Sequence, residues 1–164
     1  MPDSPLHRDA IRRLIEGTPP LLDGLLSVED QLQPNGFDLT LGDISRFITP
    51  GSMGSADSDR QLSATESIEA DAGGWLRLDP GPYLATFNEV VHLPPYLMAL
   101  GRPRSSLLRS GVSIHSAVWD AGYRGRSQVL LVVYHPLGYR LQRNAWLMQL
   151  VFFHTEQPTS QGYQ

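Results

Sequence analysis

The sequence predicts a mainly β protein, either a β-barrel or a β-sandwich, with one or two short helices. Short apolar runs separated by glycine and proline follow one another from Trp75 onward, which is typical of many short strands. Apolar and polar residues alternate between Phe37 and Leu41, as they do along a strand. Strong helical periodicity is confined to the N-terminal region, with a second, brief candidate at Ser105 to Ser110.

The length and composition indicate one globular domain. A chain of 164 residues is long enough for one hydrophobic core and too short for two domains of ordinary size. Hydrophobic residues make up 41% of the chain and charged residues 18%, which is near the globular average. No window approaches a membrane span, and Met1 to Arg13 lacks the apolar core of a secretory signal. We therefore expect a cytoplasmic protein.

The charge and the absence of cysteine exclude several classes of function. A formal charge of −4 and a pI near 5.6 provide no basic surface for long nucleic acid. Without cysteine there are no disulfides, no thiolate nucleophiles and no zinc site of the kind that nucleobase deaminases use. A small phosphorylated ligand is compatible with this composition, because five arginines are concentrated in one part of the sequence. They are Arg102, Arg104, Arg109, Arg124 and Arg126.

The first predicted element is a short amphipathic helix from Arg8 to Glu16, within an N-terminal helical segment over residues 1 to 32. Its apolar positions recur at helical spacing, and the Gly-Thr-Pro-Pro stretch at residues 17 to 20 ends the pattern. The turn residues Asn35 and Gly36 then lead into the alternating strand.

Two later segments carry structural predictions. Residues 50 to 72 are rich in glycine, serine, aspartate and alanine with almost no apolar spacing, which predicts a surface loop. Too little chain precedes them for a domain linker. The run Val129 to Tyr134 is apolar at successive positions and predicts a strand buried on both faces, either in the core or at a subunit interface.

The first segment with candidate chemistry is Pro34 to Gly42, where Asp38 lies on the polar face of the strand. Asp38 is either a solvated strand or turn residue, or an oxygen ligand for a hard cation, directly or through water.

The second segment, Arg102 to Gly111, places two hydroxyls between arginines. If Ser105 and Ser106 begin a short helix, their hydroxyls and the first N–H groups are suited to phosphate oxygens, and Arg104 and Arg109 add charge-assisted bonds. The alternative is that Ser105 only caps a helix.

The third segment is Val118 to Gly125, whose Asp-Ala-Gly-Tyr sequence predicts a hairpin turn with a positive φ at Gly122. Asp120 is then either a turn-forming residue or a carboxylate that takes a proton from a polarised water. The five histidines are scattered singly, and no catalytic role is assigned to them.

In this order the three segments resemble the motifs of the dUTPase/dCTP deaminase superfamily. The resemblance covers residues 33 to 149, and residues 103 to 136 are especially similar to archaeal-type dUTPases. It implies a distorted β-barrel of the β-clip type, a homotrimer with sites between subunits, and Mg²⁺-assisted hydrolysis of dUTP to dUMP and pyrophosphate.

The resemblance also implies roles for individual residues. Asp38 would help to hold a water-coordinated Mg²⁺. Ser105 and Ser106, with Arg104, would grip the triphosphate, and Arg109 matches the arginine that closes the deaminase version of this motif.

Three further matches complete the implied site. Asp120 would activate the attacking water, and Tyr123 would stack beneath the deoxyribose and leave no room for a 2′-hydroxyl. Gln149 would lie near the phosphates. In-line attack on phosphorus needs such a base and such donors, held in position rather than covalently engaged.

Departures from the family pattern bear on the choice between dUTP hydrolysis, dCTP deamination and a protein without catalytic activity. Deaminases and bifunctional enzymes carry a glutamate where this chain has Leu130, and the nearest polar residue, Gln128, is an amide that cannot act as a base. dCTP deamination is therefore rejected. Residues 155 to 164 resemble only the start of the C-terminal arm, and Trp146 stands where a basic residue is common. A dCTP deaminase or bifunctional enzyme stays as one alternative to be tested with dCTP, and a non-catalytic nucleotide-binding protein on the same fold is the other.

Overall fold

A computed structural model describes residues 5 to 160 and 162 to 163. Strands dominate it, as predicted. The three α-helices are α1 (Arg8–Ile15), α2 (Val28–Gln31) and α3 (Ser105–Leu108). The strands are β1 (Leu22–Asp23), β2 (Leu32–Gln33), β3 (Gly36–Phe47), β4 (Thr65–Ser67), β5 (Trp75–Leu78), β6 (Gly81–His92), β7 (Leu97–Pro103), β8 (Val112–His115), β9 (Arg124–Val133), β10 (Tyr139–Gln142) and β11 (Trp146–His154).

The main sheet is antiparallel and runs in the order β7, β11, β3, β6, β9, β8. Its two ends approach each other, because the chain that follows β8 pairs with β7 through Trp119 and Ala99. Ala99 N–H donates to the Trp119 carbonyl at 2.9 Å, and Trp119 N–H donates back at 3.1 Å. The sheet is thereby nearly closed, which confirms the predicted distorted barrel and decides against a sandwich.

Strand β3 is buried on both faces at its start. Phe37, Leu39 and Leu41 are fully buried on the core side, as their alternation predicts. Asp38 and Thr40, on the opposite side, are also fully buried. The interpretation of Asp38 as a solvated strand residue is therefore wrong.

Strand β9 is buried on one face only within this chain. Val129, Leu131 and Val133 point into the core, whereas Leu130 is 36% exposed and Tyr134 is 64% exposed. Strand β9 is therefore not buried on both faces in the core, and burial of its outer face at a subunit interface stays a prediction. Its outer face remains free for a contact with another subunit.

The N-terminal helix forms where predicted and buries Ile11, while Arg12 on its polar side makes a two-bonded ion pair with Glu29 at 2.7 and 2.8 Å. Most of residues 50 to 72 lie on the surface, where β4 pairs with β3. None of the helices described in the structure is long and apolar enough to cross a membrane.

Candidate functional site

Asp38 and Arg104 form a shielded ion pair between β3 and the start of α3. The Asp38 side chain has no exposed surface, and the Arg104 guanidinium donates to its Oδ2. Asp38 Oδ1 has no hydrogen-bond partner among the described residues. Burial raises the pKa of the Asp38 carboxyl, and the neighbouring Arg104 opposes that rise without cancelling it.

Arg104 is held on a second side by an aromatic ring. Its guanidinium carbon lies 5.0 Å from the centroid of the Trp146 ring, a cation–π distance. Trp146 thus packs on the arginine. About a third of the Arg104 side chain, 32%, remains exposed although Asp38 and Trp146 both contact it.

The two serines of the second segment are the first residues of α3. The residue that precedes the helix is Arg104, and no side chain caps the helix. The interpretation of Ser105 as a helix cap is therefore wrong. Both serines are exposed, and neither hydroxyl has a partner in the described part of the chain. Arg109, at the end of the same short helix, is exposed and likewise forms no ion pair with a described residue.

Gln149 lies between Asp38 and Arg102 in the sheet, because β11 runs between β3 and β7. Its side chain lies over Gly36, where a Cβ would come within 2.7 Å of Gln149 Nε2 and would also overlap the Leu150 carbonyl. The turn glycine thus leaves room for both the β3–β11 pairing and the glutamine. The sheet register brings Gln149 to the strand that carries Asp38.

A buried polar cluster behind Asp38 was not found from the sequence. Both carboxylate oxygens of Glu89 accept hydrogen bonds: Oε2 from Thr40 N–H at 2.9 Å, and Oε1 from the Thr40 hydroxyl and from Gln31 Nε2 at 2.6 Å each. Gln31 also donates to the Asp38 carbonyl at 2.9 Å. The sequence does carry one indication of this cluster. Buried and less buried residues alternate along β6, and Glu89 occupies a buried position between Phe87 and Val91.

The third segment forms the expected turn. Tyr123 N–H donates to the Asp120 carbonyl at 3.0 Å, and Gly122 has a φ of +86°. The Asp120 carboxylate is exposed and has no partner within the described residues. Behind it, buried Trp119 donates to the Ser127 hydroxyl at 2.7 Å, and that hydroxyl donates to the Tyr123 oxygen at 3.2 Å. The Tyr123 side chain is therefore held by a hydrogen bond, whereas the Asp120 side chain is held by none from a described residue.

The C-terminal segment folds back onto this hairpin. Tyr163 N–H donates to the Ala121 carbonyl at 3.0 Å. The Tyr163 ring meets the Tyr123 ring edge-on, with centroids 5.2 Å apart and an interplanar angle of 67°. Asp120 and Tyr163 together line a cavity of about 360 Å³. The start of the arm thus covers one side of the hairpin in its own chain.

The predicted site residues fall into two groups. Asp38, Arg104 and Gln149 lie together around β3 and β11, with Ser105, Ser106 and Arg109 on the adjoining helix. Asp120 and Tyr123 lie on the hairpin. No hydrogen bond or ion pair between described side chains joins the two groups, and the two cavities bordered by Asp120 are lined by no member of the first. Within the described part of one chain, the two groups therefore make no direct side-chain contact of this kind.

The residues present do not fit a magnesium ion held by the protein. Among residues 5 to 160 and 162 to 163, no three histidine, aspartate or glutamate side chains are grouped to hold a metal. Asp38 is shielded from solvent and already carries the positive charge of Arg104 on one oxygen. A dication beside that guanidinium would meet strong repulsion at short distance.

Comparison with known proteins places the chain among nucleotide enzymes. The family model described as dCTP deaminase-like matches residues 6 to 155. A relative from Methanosarcina mazei, named probable deoxyuridine 5′-triphosphate nucleotidohydrolase, is 42% identical over 158 residues, covering 96% of this chain and 92% of the relative. A relative of the same name from Archaeoglobus fulgidus is 43% identical over 159 residues, covering 97% and 92%.

The fold is also similar to a solved structure. The 2′-deoxycytidine 5′-triphosphate deaminase from Agrobacterium tumefaciens matches with a TM-score of 0.68 and 24% identity, over 93% of this chain and 48% of that one. At this identity the match supports the fold and not the reaction.

Proposed function

This chain belongs to the dCTP deaminase-like family, and we propose that within it the protein is a dUTP diphosphatase, which hydrolyses dUTP to dUMP and pyrophosphate. The choice of dUTP hydrolysis over dCTP deamination rests on the side chains of the hairpin and of β9, the strand after it. Asp120 is an exposed carboxylate without a partner among the described residues, whereas Leu130 on β9 has no ionisable group. Gln128 is an amide that donates to the Thr86 hydroxyl at 3.1 Å. Such a site has a base for water and none for deamination.

The groups proposed to hold the triphosphate are those without partners in the described part of the chain. The hydroxyls of Ser105 and Ser106 and the guanidinium of Arg109 are exposed on one short helix. Arg104 and Gln149 stand beside them, Arg104 being held in place by Asp38 and Trp146. Hydroxyl and guanidinium donors suit the oxygens of a phosphate chain.

The proposed reaction is an in-line displacement at the α-phosphorus. The water oxygen forms a bond to phosphorus while the bond from phosphorus to the bridging oxygen breaks, and pyrophosphate leaves. Asp120 takes the proton of the water as the bond forms. Tyr123, anchored by Ser127, would support the deoxyribose next to the base.

The complete site is proposed to form between subunits of a homotrimer. The separation of the two groups of residues supports this, because each group needs a neighbour to supply the other. The outer face of β9 supplies apolar surface for such a contact, with Leu130 and Tyr134 exposed and Val132 partly exposed.

Magnesium is proposed to bind together with the triphosphate and not to a set of protein ligands. Bound to phosphate oxygens, it would neutralise part of their charge. The resemblance implies that Asp38 holds this ion through water, but we propose instead that Asp38 holds Arg104.

The test is release of pyrophosphate from dUTP by the purified protein in the presence of Mg²⁺, with dCTP and ammonia detection in parallel. Wild type should release pyrophosphate from dUTP and no ammonia from dCTP. Asp120→Asn should lower kcat by about 10²- to 10⁴-fold, the contribution typical of a positioned base, and still bind a non-hydrolysable dUTP analogue in calorimetry.

Asp57→Asn, on the exposed segment after β3, is the matched control and should keep wild-type turnover. Tight binding of dUTP without hydrolysis by wild type would instead favour the non-catalytic alternative. Ammonia release from dCTP would contradict the assignment of the reaction.

A further inference from the structure

A second cavity, of about 560 Å³, lies where the N-terminal helix meets the hairpin. Its walls come from α1, residues 17 to 21, the segment after β6, and the hairpin residues Gly122 and Tyr123. Asp120 and the serines of α3 are not among the residues that line it. Of the residues proposed for the reaction, Tyr123 alone borders this cavity, whose volume lies in the range of small-molecule sites.

Main-chain hydrogen bonds hold the walls of this cavity together. Leu21 N–H donates to the Leu14 carbonyl at 2.9 Å, which ties residues 17 to 21 to α1. His92 N–H donates to the Leu21 carbonyl at 2.8 Å, and Leu93 N–H donates to the Tyr123 carbonyl at 2.8 Å. Three separate parts of the chain are thus held together around the space.

The two formally charged side chains that line the cavity are both cationic. Arg13 and Arg124 line it, and no aspartate or glutamate does. Arg13 has no hydrogen bond or ion pair with a described residue. Arg124 donates through Nε to His92 Nδ1 at 3.0 Å, and its two terminal amino groups have no partner in the same set. In a chain of formal charge −4, two guanidinium groups facing one acid-free space indicate an anionic ligand.

The remaining walls are flat and apolar. Tyr96 and Tyr123 contribute rings, next to Pro94 and Pro95. The Tyr96 ring is stacked on His154, with centroids 5.9 Å apart and planes within 15°, so that its position is fixed. Rigid rings of this kind contact planar ligands with little loss of side-chain entropy.

We propose that this cavity binds a small phosphorylated molecule with a planar ring, namely a nucleoside monophosphate. The phosphate lies between Arg13 and Arg124, which supply forked donors matched to its oxygens, and the base lies against the rings of Tyr96 and Tyr123. The site is separate from the one proposed for dUTP and does not depend on that proposal, although the two share Tyr123 as a wall.

The first experiment measures binding of uridine 5′-monophosphate by calorimetry to wild type and to Arg13→Gln, with Arg60→Gln as control. Arg60 is an exposed arginine that does not line the cavity. Loss of one charge-assisted partner should raise Kd about 10-fold or more in Arg13→Gln, and Arg60→Gln should match wild type. Equal affinity in all three proteins would overturn the proposal. Circular dichroism verifies that both variants are folded.

The second experiment separates the phosphate from the ring. Inorganic phosphate and uridine are titrated separately, and Tyr96→Leu is compared with wild type. Each fragment should bind more weakly than the nucleotide, and Tyr96→Leu should weaken binding of the nucleotide but not of phosphate. Equal affinity for phosphate and nucleotide would reduce the site to general anion binding.

The third experiment tests whether the nucleotide site is separate from the dUTP site. A non-hydrolysable dUTP analogue should not displace bound uridine 5′-monophosphate. Competitive displacement would place the nucleotide at Asp120 and refute the second site. Failure of pyrophosphate release would refute the proposed reaction and leave these binding results unaffected.

Discussion

At the scale of single residues, two fully buried carboxylates differ in how they are satisfied. Glu89 accepts three hydrogen bonds, shared over both oxygens. Asp38 has Arg104 on one oxygen and no partner on the other among the described residues. A satisfied buried carboxylate stabilises the fold around it, whereas an incompletely satisfied one retains a desolvation penalty.

Glu89→Gln tests the stabilising role of the Glu89 cluster. The amide would place an N–H group against a donor from Thr40 or Gln31, which leaves buried groups unpaired. We expect the free energy of unfolding in urea to fall by about 2 kcal/mol. Exposed Glu69→Gln is the control and should leave it nearly unchanged. Equal stability of the two variants would show that the cluster contributes nothing.

The pH dependence of stability tests Asp38. Since burial raises the folded-state pKa of Asp38 above its ordinary value, folding favours the protonated form. The stability that Asp38 contributes is therefore present at low pH and is lost as pH rises through the folded-state pKa. The unfolding free energy of wild type minus that of Asp38→Asn should therefore fall as pH rises above the ordinary aspartate pKa of about 4. A difference that grows with pH would mean that the ion pair with Arg104 outweighs burial.

At the scale of elements, the hairpin around Gly122 packs closely against the C-terminal arm at Gly162 and Tyr163. Gly122 combines a φ of +86° with close approach to the arm, because a Cβ there would lie 3.1 Å from the Gly162 Cα and 3.2 Å from the Tyr163 nitrogen. A residue with a Cβ would press on the arm, and most such residues would also strain the turn. The geometry of a short turn thus sets where the C-terminal segment lies.

Gly122→Ala separates these two effects. The positive φ alone should lower the free energy of unfolding by about 1 kcal/mol. In the full chain the loss should be larger, because the arm is also displaced. Urea unfolding of Gly122→Ala and of wild type, each with and without residues 158 to 164, measures the loss from the positive φ and the loss from displacement of the arm. The same loss in both backgrounds would show that the arm makes no stabilising contact with Gly122.

At the scale of the whole molecule, the barrel holds the two groups of proposed site residues apart. The barrel closes through Trp119 and Ala99, immediately before Asp120, and this fixes the hairpin on the sheet. Ser105, Ser106 and Gln149 lie beyond the other end of β7 or on its partner β11. This arrangement is the basis for the proposal that the site forms between copies of the chain.

Mixing two inactive variants tests that assembly. Asp120→Asn chains and Ser105→Ala/Ser106→Ala chains should each be nearly inactive, since each lacks one half of every site. Refolded together, they should recover part of the dUTP turnover, because mixed trimers contain some sites with both halves intact. Light scattering measures the oligomer, and a chain carrying all three substitutions is the control. Mixed trimers without recovery would mean that each site uses one chain.

Much of the fold was predictable, and the exceptions have physical causes. The first helix, the alternating strand and the turn at Gly122 follow from local periodicity and turn chemistry, which depend on neighbouring residues. The exposed outer face of β9 and the burial of Asp38 did not follow. Burial depends on what the rest of the chain places against a strand, and no local pattern records that.

The sequence by itself determined the fold class, the family and the residue types available for chemistry. The order of three short motifs indicated the family, and Leu130 is the residue on which the proposal of hydrolysis rather than deamination depends. Only the tertiary structure decided which groups are engaged and which are free. Asp38 and Arg104 are 66 positions apart yet form a shielded pair, whereas Asp120 remains exposed on its turn. The physical reason is that charge and hydrogen-bonding capacity belong to a residue, but desolvation and partners belong to its surroundings in the folded chain.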